Sequence, residues 1–256
     1  MEKKVIEKLN IKKEKKRERK NKKTVIKKKD NLVDIQLECL KQNIKINYIF
    51  YIVAICCLFL LSRYKLINSS FLCVIITFIS VSIMGYFSHY VSHHINFSEI
   101  YKDHSIIIKK FHILDNCGLK IFNLIDFHRE IHHNTRYNKT WKNIIIEFFH
   151  NIISQGVGII IYTKFLNYLD SRTILIWCIL YSTAHNINYN LIHPTTHIDH
   201  HKNEKTNYGI DIYDIIFGTK YNWNDLENYN HYSFNMIIIT GLIIYFTNYV
   251  YKKNDI

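Results

Sequence analysis

The sequence predicts an all-α integral membrane protein with about four transmembrane helices in two hairpins and a cytosolic helical cap rich in histidine. Three observations lead there. One proline and seven glycines among 256 residues favour long, uninterrupted helices over a loop-rich β architecture. Several runs of Ile, Leu, Phe and Tyr approach the roughly 20 residues that cross a hydrocarbon core. Most of the fifteen histidines gather where those runs end. The mean hydropathy of -0.09 describes neither half of the chain, because a lysine-rich start offsets an apolar body.

Residues 1–45 read as a basic cytosolic tail. Its first part, with KKEKKRERKNKKTVIKKK, has almost nothing apolar to bury and cannot offset its own ordering entropy, so it is expected to be disordered. Most of the formal charge of +13 sits there. The adjoining segments are membrane-like, so the tail is expected to touch anionic lipid rather than nucleic acid. It lacks the shape of a signal peptide, since the first apolar segment begins only near residue 46 and no small-residue cleavage site follows.

Residues 46–233 form the predicted membrane-embedded domain. Ile46–Ser62 is charge-free and nearly all apolar, and Leu66–Ser88 repeats that character after a short Arg-Tyr-Lys link, which makes a first hairpin. With the basic tail on the cytosolic side, the second helix returns to the cytosol and delivers HYVSHH (His89, His93, His94) there. Residues 95–143 are mixed, with an interfacial stretch at Ile106–Ile113, and end in FHREIHHNTRYNKTW. Ile144–Phe165 and Thr173–Leu191 form a second hairpin. Glu147, His150 and Gln155 interrupt one arm and Asn186, Asn188 and Asn190 the other, which is tolerated where polar groups face a bundle interior or a cavity. Residues 234–256 carry a last apolar helix, for which a fifth span and an interfacial position stay open.

Histidines four apart share a helix face. HYVSHH, HREIHH and HIDHH each hold such a pair, and all three fall on one predicted membrane side. Eight or more imidazoles exceed what one tetrahedral ion uses, so two ions are indicated. The six cysteines form no CxxC pair, which leaves nitrogen as the donor. Two iron ions fit best, because nitrogen ligation leaves positions open for dioxygen. The isolated His104, His112, His150 and His231 read as surface or interfacial residues.

HIDHH, followed by KNEKTNYG and YDIIFGT, resembles the C-terminal motif of the fatty acid hydroxylase superfamily, which includes sterol desaturases and C-4 sterol methyl oxidases. Asn207-Tyr208-Gly209 and Asp214 to Thr219 carry the resemblance, with Tyr213 where the family has tryptophan. FHREIHH is similar to the second box of the family and HYVSH to its first, so the resemblance spans roughly residues 85–220. It implies a di-iron, O2-dependent hydroxylase or desaturase acting on a fatty acyl or sterol C–H bond, in the endoplasmic reticulum or a similar internal membrane. The implied ligands are His89, His93, His128, His132, His133, His185, His197, His200 and His201, with His104 or His112 as alternatives for the first box. Asp199 and Asn207 are candidates for orienting imidazoles, although Asn207-Tyr208-Gly209 reads more simply as a supporting turn. Nothing resembles a fused cytochrome b5, so electrons are expected from a separate donor such as cytochrome b5 or its reductase. The competing readings are a histidine-rich metal transporter and a catalytically inactive relative of the same fold.

Overall fold

The computed structural model describes residues 32–64, 70–104, 118–120, 140–157 and 169–254, together with Asn123, Asp126 and His133. These residues are mostly helical, with no strand among them. We label the helices α1 (Leu32–Ile46), α2 (Tyr48–Arg63), α3 (Phe71–His94), α4 (Phe97–His104), α5 (Trp141–Ile152), α6 (Ser171–Thr183), α7 (Tyr189–Ile192), α8 (Thr195–Lys202), α9 (Asp211–Phe217) and α10 (Tyr232–Asn254). Single π-helical turns extend α5 at Ile153–Val157 and join α6 to α7 at Ala184–Asn188.

Among the described residues two helices are long and apolar enough to cross a membrane, α3 and Tyr232–Val250 of α10; α1 and α2 make a third if counted as one span across their 69° bend. Their outward faces are consistent with a hydrocarbon surrounding. Ile52 and Ile55 of α2, Leu72 and Ile76 of α3, and Phe234 and Ile237 of α10 are all exposed, an apolar exterior that water does not favour. The C-terminal run thus forms a helix of spanning length. The second predicted hairpin is less complete: α5 and α6 have 12 and 13 residues, and residues 158–168 lie outside those described.

Part of the segment assigned to the tail is ordered helix. Residues 1–31 lie outside the described residues, but α1 packs onto α9 and the segment after it through partners about 180 residues away. Gln36 Nε2 donates to the Ile215 carbonyl at 2.9 Å, and Tyr229 OH donates to Asn43 Oδ1 at 2.6 Å. The elbow between α1 and α2 is at Asn47, which is fully buried. Its Oδ1 accepts from Tyr229 N at 2.8 Å and its Nδ2 donates to the Glu227 carbonyl at 2.9 Å. These bonds seat the Glu227–Tyr229 segment against the start of α2.

Helices α3 and α6 run side by side from a shared hydrogen bond near the start of α6. Asp170 caps α6 by accepting from Thr173 N at 2.9 Å, and its own N–H donates to Thr77 Oγ1 near the start of α3 at 3.0 Å. From Thr77 to His89 and from Thr173 to His185 is twelve residues each, about 18 Å of helix at 1.5 Å per residue. The two helices pack along this length. Leu61, Val74, Val81, Ile174, Ile176 and Met236 fill the core between α2, α3, α6 and α10. Gly156 allows the π-helical turn after α5 to approach α6 closely: a methyl group there would meet Cys178 Sγ at 1.9 Å. Cys39, Cys56, Cys57 and Cys178 are free thiols.

Of the polar residues inside the apolar runs, Glu147, Gln155, Asn186 and Asn188 face inward, whereas Asn190 is exposed. Gln155 accepts from Trp177 Nε1 at 3.2 Å and donates to the Gly85 carbonyl at 3.4 Å, while Asn188 Oδ1 accepts from Asn235 Nδ2 at 3.0 Å. Asn186 bonds back to the Ser182 carbonyl at 3.0 Å. Each therefore exchanges water for an internal partner, which makes its burial affordable.

Candidate metal centre

Imidazoles from α3, the 118–140 segment, the α6–α7 junction and α8 meet at one end of the bundle. Donor nitrogens of His89, His93, His133 and His200 all lie within 4.8 Å of one another. His197 and His201 continue the array, with Nε2 atoms 3.1 Å apart, and ring contacts link His201 to His133 at 4.5 Å and His197 to His185 at 4.9 Å. Of the nine residues implied as ligands, seven are thus in one contiguous group; His128 and His132 lie outside the described residues. His112 does too, as does the side chain of His104 at the end of α4.

Local sequence explains how the parts arrive. The i, i+4 spacing places His89 beside His93 on α3 and His197 beside His201 on α8. Asp126 is tied to the start of α4: its carboxylate accepts from Phe97 N at 3.1 Å and Ser98 N at 2.7 Å. Because α4 begins three residues after His94, these bonds place Asp126 close to the end of α3. Pro194 opens the turn into α8 after His193, which adopts a left-handed conformation at φ 51° and is exposed. His94 stacks on Tyr90 and donates to its carbonyl at 2.9 Å, so it stands apart from the group.

The Asn-Tyr-Gly turn and the threonine before it orient two of these rings. His200 Nδ1 faces the Thr206 carbonyl at 2.6 Å and His89 Nδ1 faces the Tyr208 carbonyl. A carbonyl only accepts, so each Nδ1 carries the proton and each Nε2 keeps its lone pair. His89 Nε2 lies 3.1 Å from His93 Nε2, a separation that a shared cation or proton accommodates. Bonds of about 2.1 Å to one ion set neighbouring nitrogens roughly 3–4 Å apart. An all-imidazole set suits iron, zinc, copper or nickel, so the donors present fit a metal.

The turn itself is held by Asp214, whose carboxylate accepts from Tyr208 N at 2.8 Å, Gly209 N at 3.1 Å and Thr219 Oγ1 at 2.7 Å. Asn207, at φ 54°, donates through Nδ2 to the Thr196 carbonyl and accepts through Oδ1 from Tyr221 N, both at 3.0 Å. It therefore supports the turn. Asp199 points elsewhere: it pairs with Lys202 at 3.4 Å on the surface of α8.

Two carboxylates near the array were not singled out by sequence. Glu204 lies 3.8 Å from His93 Nδ1 and 3.7 Å from His133 Nδ1, and Glu147 lies 3.0 Å from His185 Nδ1. For Glu147 a signal existed, since an ionisable residue inside an apolar run is a functional candidate by default. For Glu204 there was none.

Below the array, Glu227 accepts from Thr196 Oγ1 at 3.0 Å and Tyr232 OH at 3.1 Å. Burial, with Asp211 nearby, pushes its pKa up to about 7. A carboxyl that holds its proton more tightly when folded than when unfolded loses stability as pH rises from about 4.5 to 7, and the loss persists above. Glu227→Gln removes this dependence. Relative to the unmodified chain, the variant is expected to gain about 1–2 kcal/mol in unfolding free energy between pH 5 and pH 8. A stability difference that stays constant over that range contradicts the assignment.

The chain matches no family model, no curated protein and no solved structure.

Proposed function

We propose that this chain is a membrane-bound di-iron enzyme that uses O2 to hydroxylate or desaturate a fatty acyl or sterol C–H bond. The observation that carries the reading is the meeting of seven imidazoles from separate elements beside an apolar cavity. That cavity, about 670 Å³, is lined by Met84, Phe87, Phe97, Ile145 and Phe149 and reaches His89 and Tyr181. Its walls suit a hydrocarbon chain, and its volume falls in the range of small-molecule sites.

His89, His93, His133 and His200 are the residues to hold one ion, and His185, His197 and His201 those to contribute to the other. When bound, a ferrous pair supplies the electrons and open positions that activate dioxygen. The chain's own contribution is orientation. The Thr206 and Tyr208 carbonyls fix the proton of His200 and His89 on Nδ1, and the apolar wall excludes water while holding a C–H bond near the imidazoles. Electrons come from a separate donor such as cytochrome b5 or its reductase. Four spans, a cytosolic N-terminus and metal site, and residence in the endoplasmic reticulum or a similar internal membrane complete the proposal.

Lipid profiling of a host with and without the chain tests it. Expression is expected to produce hydroxylated or newly unsaturated lipids that vanish without oxygen. Unchanged lipids, with the chain folded and iron-loaded and a reductase supplied, contradict the reading.

A further inference from the structure

Among the buried acidic residues, Glu147 has the least obvious reason to be where it is. It lies in α5 between Ile144, Ile145, Ile146, Phe148 and Phe149, and it is 8% exposed. A carboxylate withdrawn from water into such a setting is costly unless a cationic or hydrogen-bonding group meets it. Its Oε1 faces His185 Nδ1 at 3.0 Å. His185 sits in the π-helical turn between α6 and α7, where His185, Asn186 and Asn188 are all buried. Such single turns recur at functional sites.

The array has two lobes with different supports. His89 and His200, of the lobe that includes His93 and His133, are oriented by the Tyr208 and Thr206 carbonyls. In the other lobe, His185 contacts His197 at 4.9 Å and His197 contacts His201 at 4.6 Å. There, Glu147 is the carboxylate facing His185. A carboxylate beside Nδ1 favours the proton on that nitrogen, leaves the Nε2 lone pair for an ion and raises its basicity.

We propose that Glu147 is the positioning residue of one ion only: by orienting His185 it sets the affinity of the His185–His197–His201 lobe, while the His89–His93–His133–His200 lobe does not depend on it. This rests on the two-ion reading above. It makes the two ions unequal, with the second held by a lobe whose His185 is oriented by a carboxylate from α5.

The test is iron content and chelator release, measured on the purified chain in nanodiscs after anaerobic loading with ferrous iron. The unmodified chain is expected to hold two ions. Glu147→Leu should keep one with unchanged release and bind the other roughly 10–100-fold more weakly. Glu147→Gln, which retains an acceptor at Nδ1, should fall between, and it decides the question if the leucine variant does not fold. Glu147→Leu combined with His185→Ala should be no worse than His185→Ala alone, because both act on one ion. Release of both ions in a single weakened phase, or retention of both at unchanged affinity, overturns the proposal. An unmodified folded chain that binds no iron overturns the two-ion reading and this inference with it.

Discussion

Alanine at His200 is expected to remove iron from the lobe it anchors and to abolish lipid product at the same time. His200 is fully buried, its Nδ1 is fixed by the Thr206 carbonyl, and its ring contacts His89 at 4.8 Å, His93 at 4.7 Å and His133 at 4.8 Å. Its ring thus meets both histidines of α3 and His133 at once. Loss of residues that merely orient a ligand costs roughly 10–100-fold in metal affinity or activity, so loss of a central donor is expected to exceed that range. Elemental analysis and product assay of the same preparation check the outcome. Iron lost without loss of product, or the reverse, separates the metal from the chemistry and contradicts the assignment.

Alanine at Asp214 is expected to be the most destabilising change around the Asn207–Gly209 turn, although Asp214 touches no histidine. Its carboxylate accepts from two backbone N–H groups and one hydroxyl. Burial pushes its pKa up to about 7 even though those donors favour the charged form. Removing it orphans Tyr208 N and Gly209 N, at about 1–3 kcal/mol each, for a total near 3–5 kcal/mol. In a chain of this size that lowers the melting temperature by roughly 10 °C. The Tyr208 carbonyl that orients His89 moves with the turn, so iron affinity should fall as well. Asp214→Asn, which keeps one acceptor, should lose less on both counts. Thermal unfolding in detergent alongside chelator competition checks this; a variant with wild-type stability removes Asp214 from its role as the clamp of the turn.

What could be read from the residues divides by distance along the chain. Pairing of His89 with His93 and of His197 with His201 is a local consequence of helical periodicity, so spacing alone predicts it. The inward direction of Gln155 and Asn188 follows from the rule that polar groups at membrane depth need internal partners. Contacts between elements were out of reach. Glu147 reads as an interruption in an apolar run, because periodicity does not say which face of α5 meets α6. Ordered helix α1 reads as tail because its composition is polar, and its anchors, Asn43 and Asn47 against Tyr229, are separated by about 180 residues. The part played by Asp214 was hidden for the same reason: a motif names the residues, whereas the carbonyl it aims at His89 exists only once α9 has folded back on the turn. His128 and His132, central to the second box, lie outside the described residues.

The most direct measurement is iron content, on the purified chain and on a variant carrying His89→Ala and His200→Ala together. The account predicts about two irons per chain in the first, and in the second a helical chain that has lost the ion held between α3 and α8. A folded chain that takes up no iron, or one whose iron survives the double replacement intact, contradicts it.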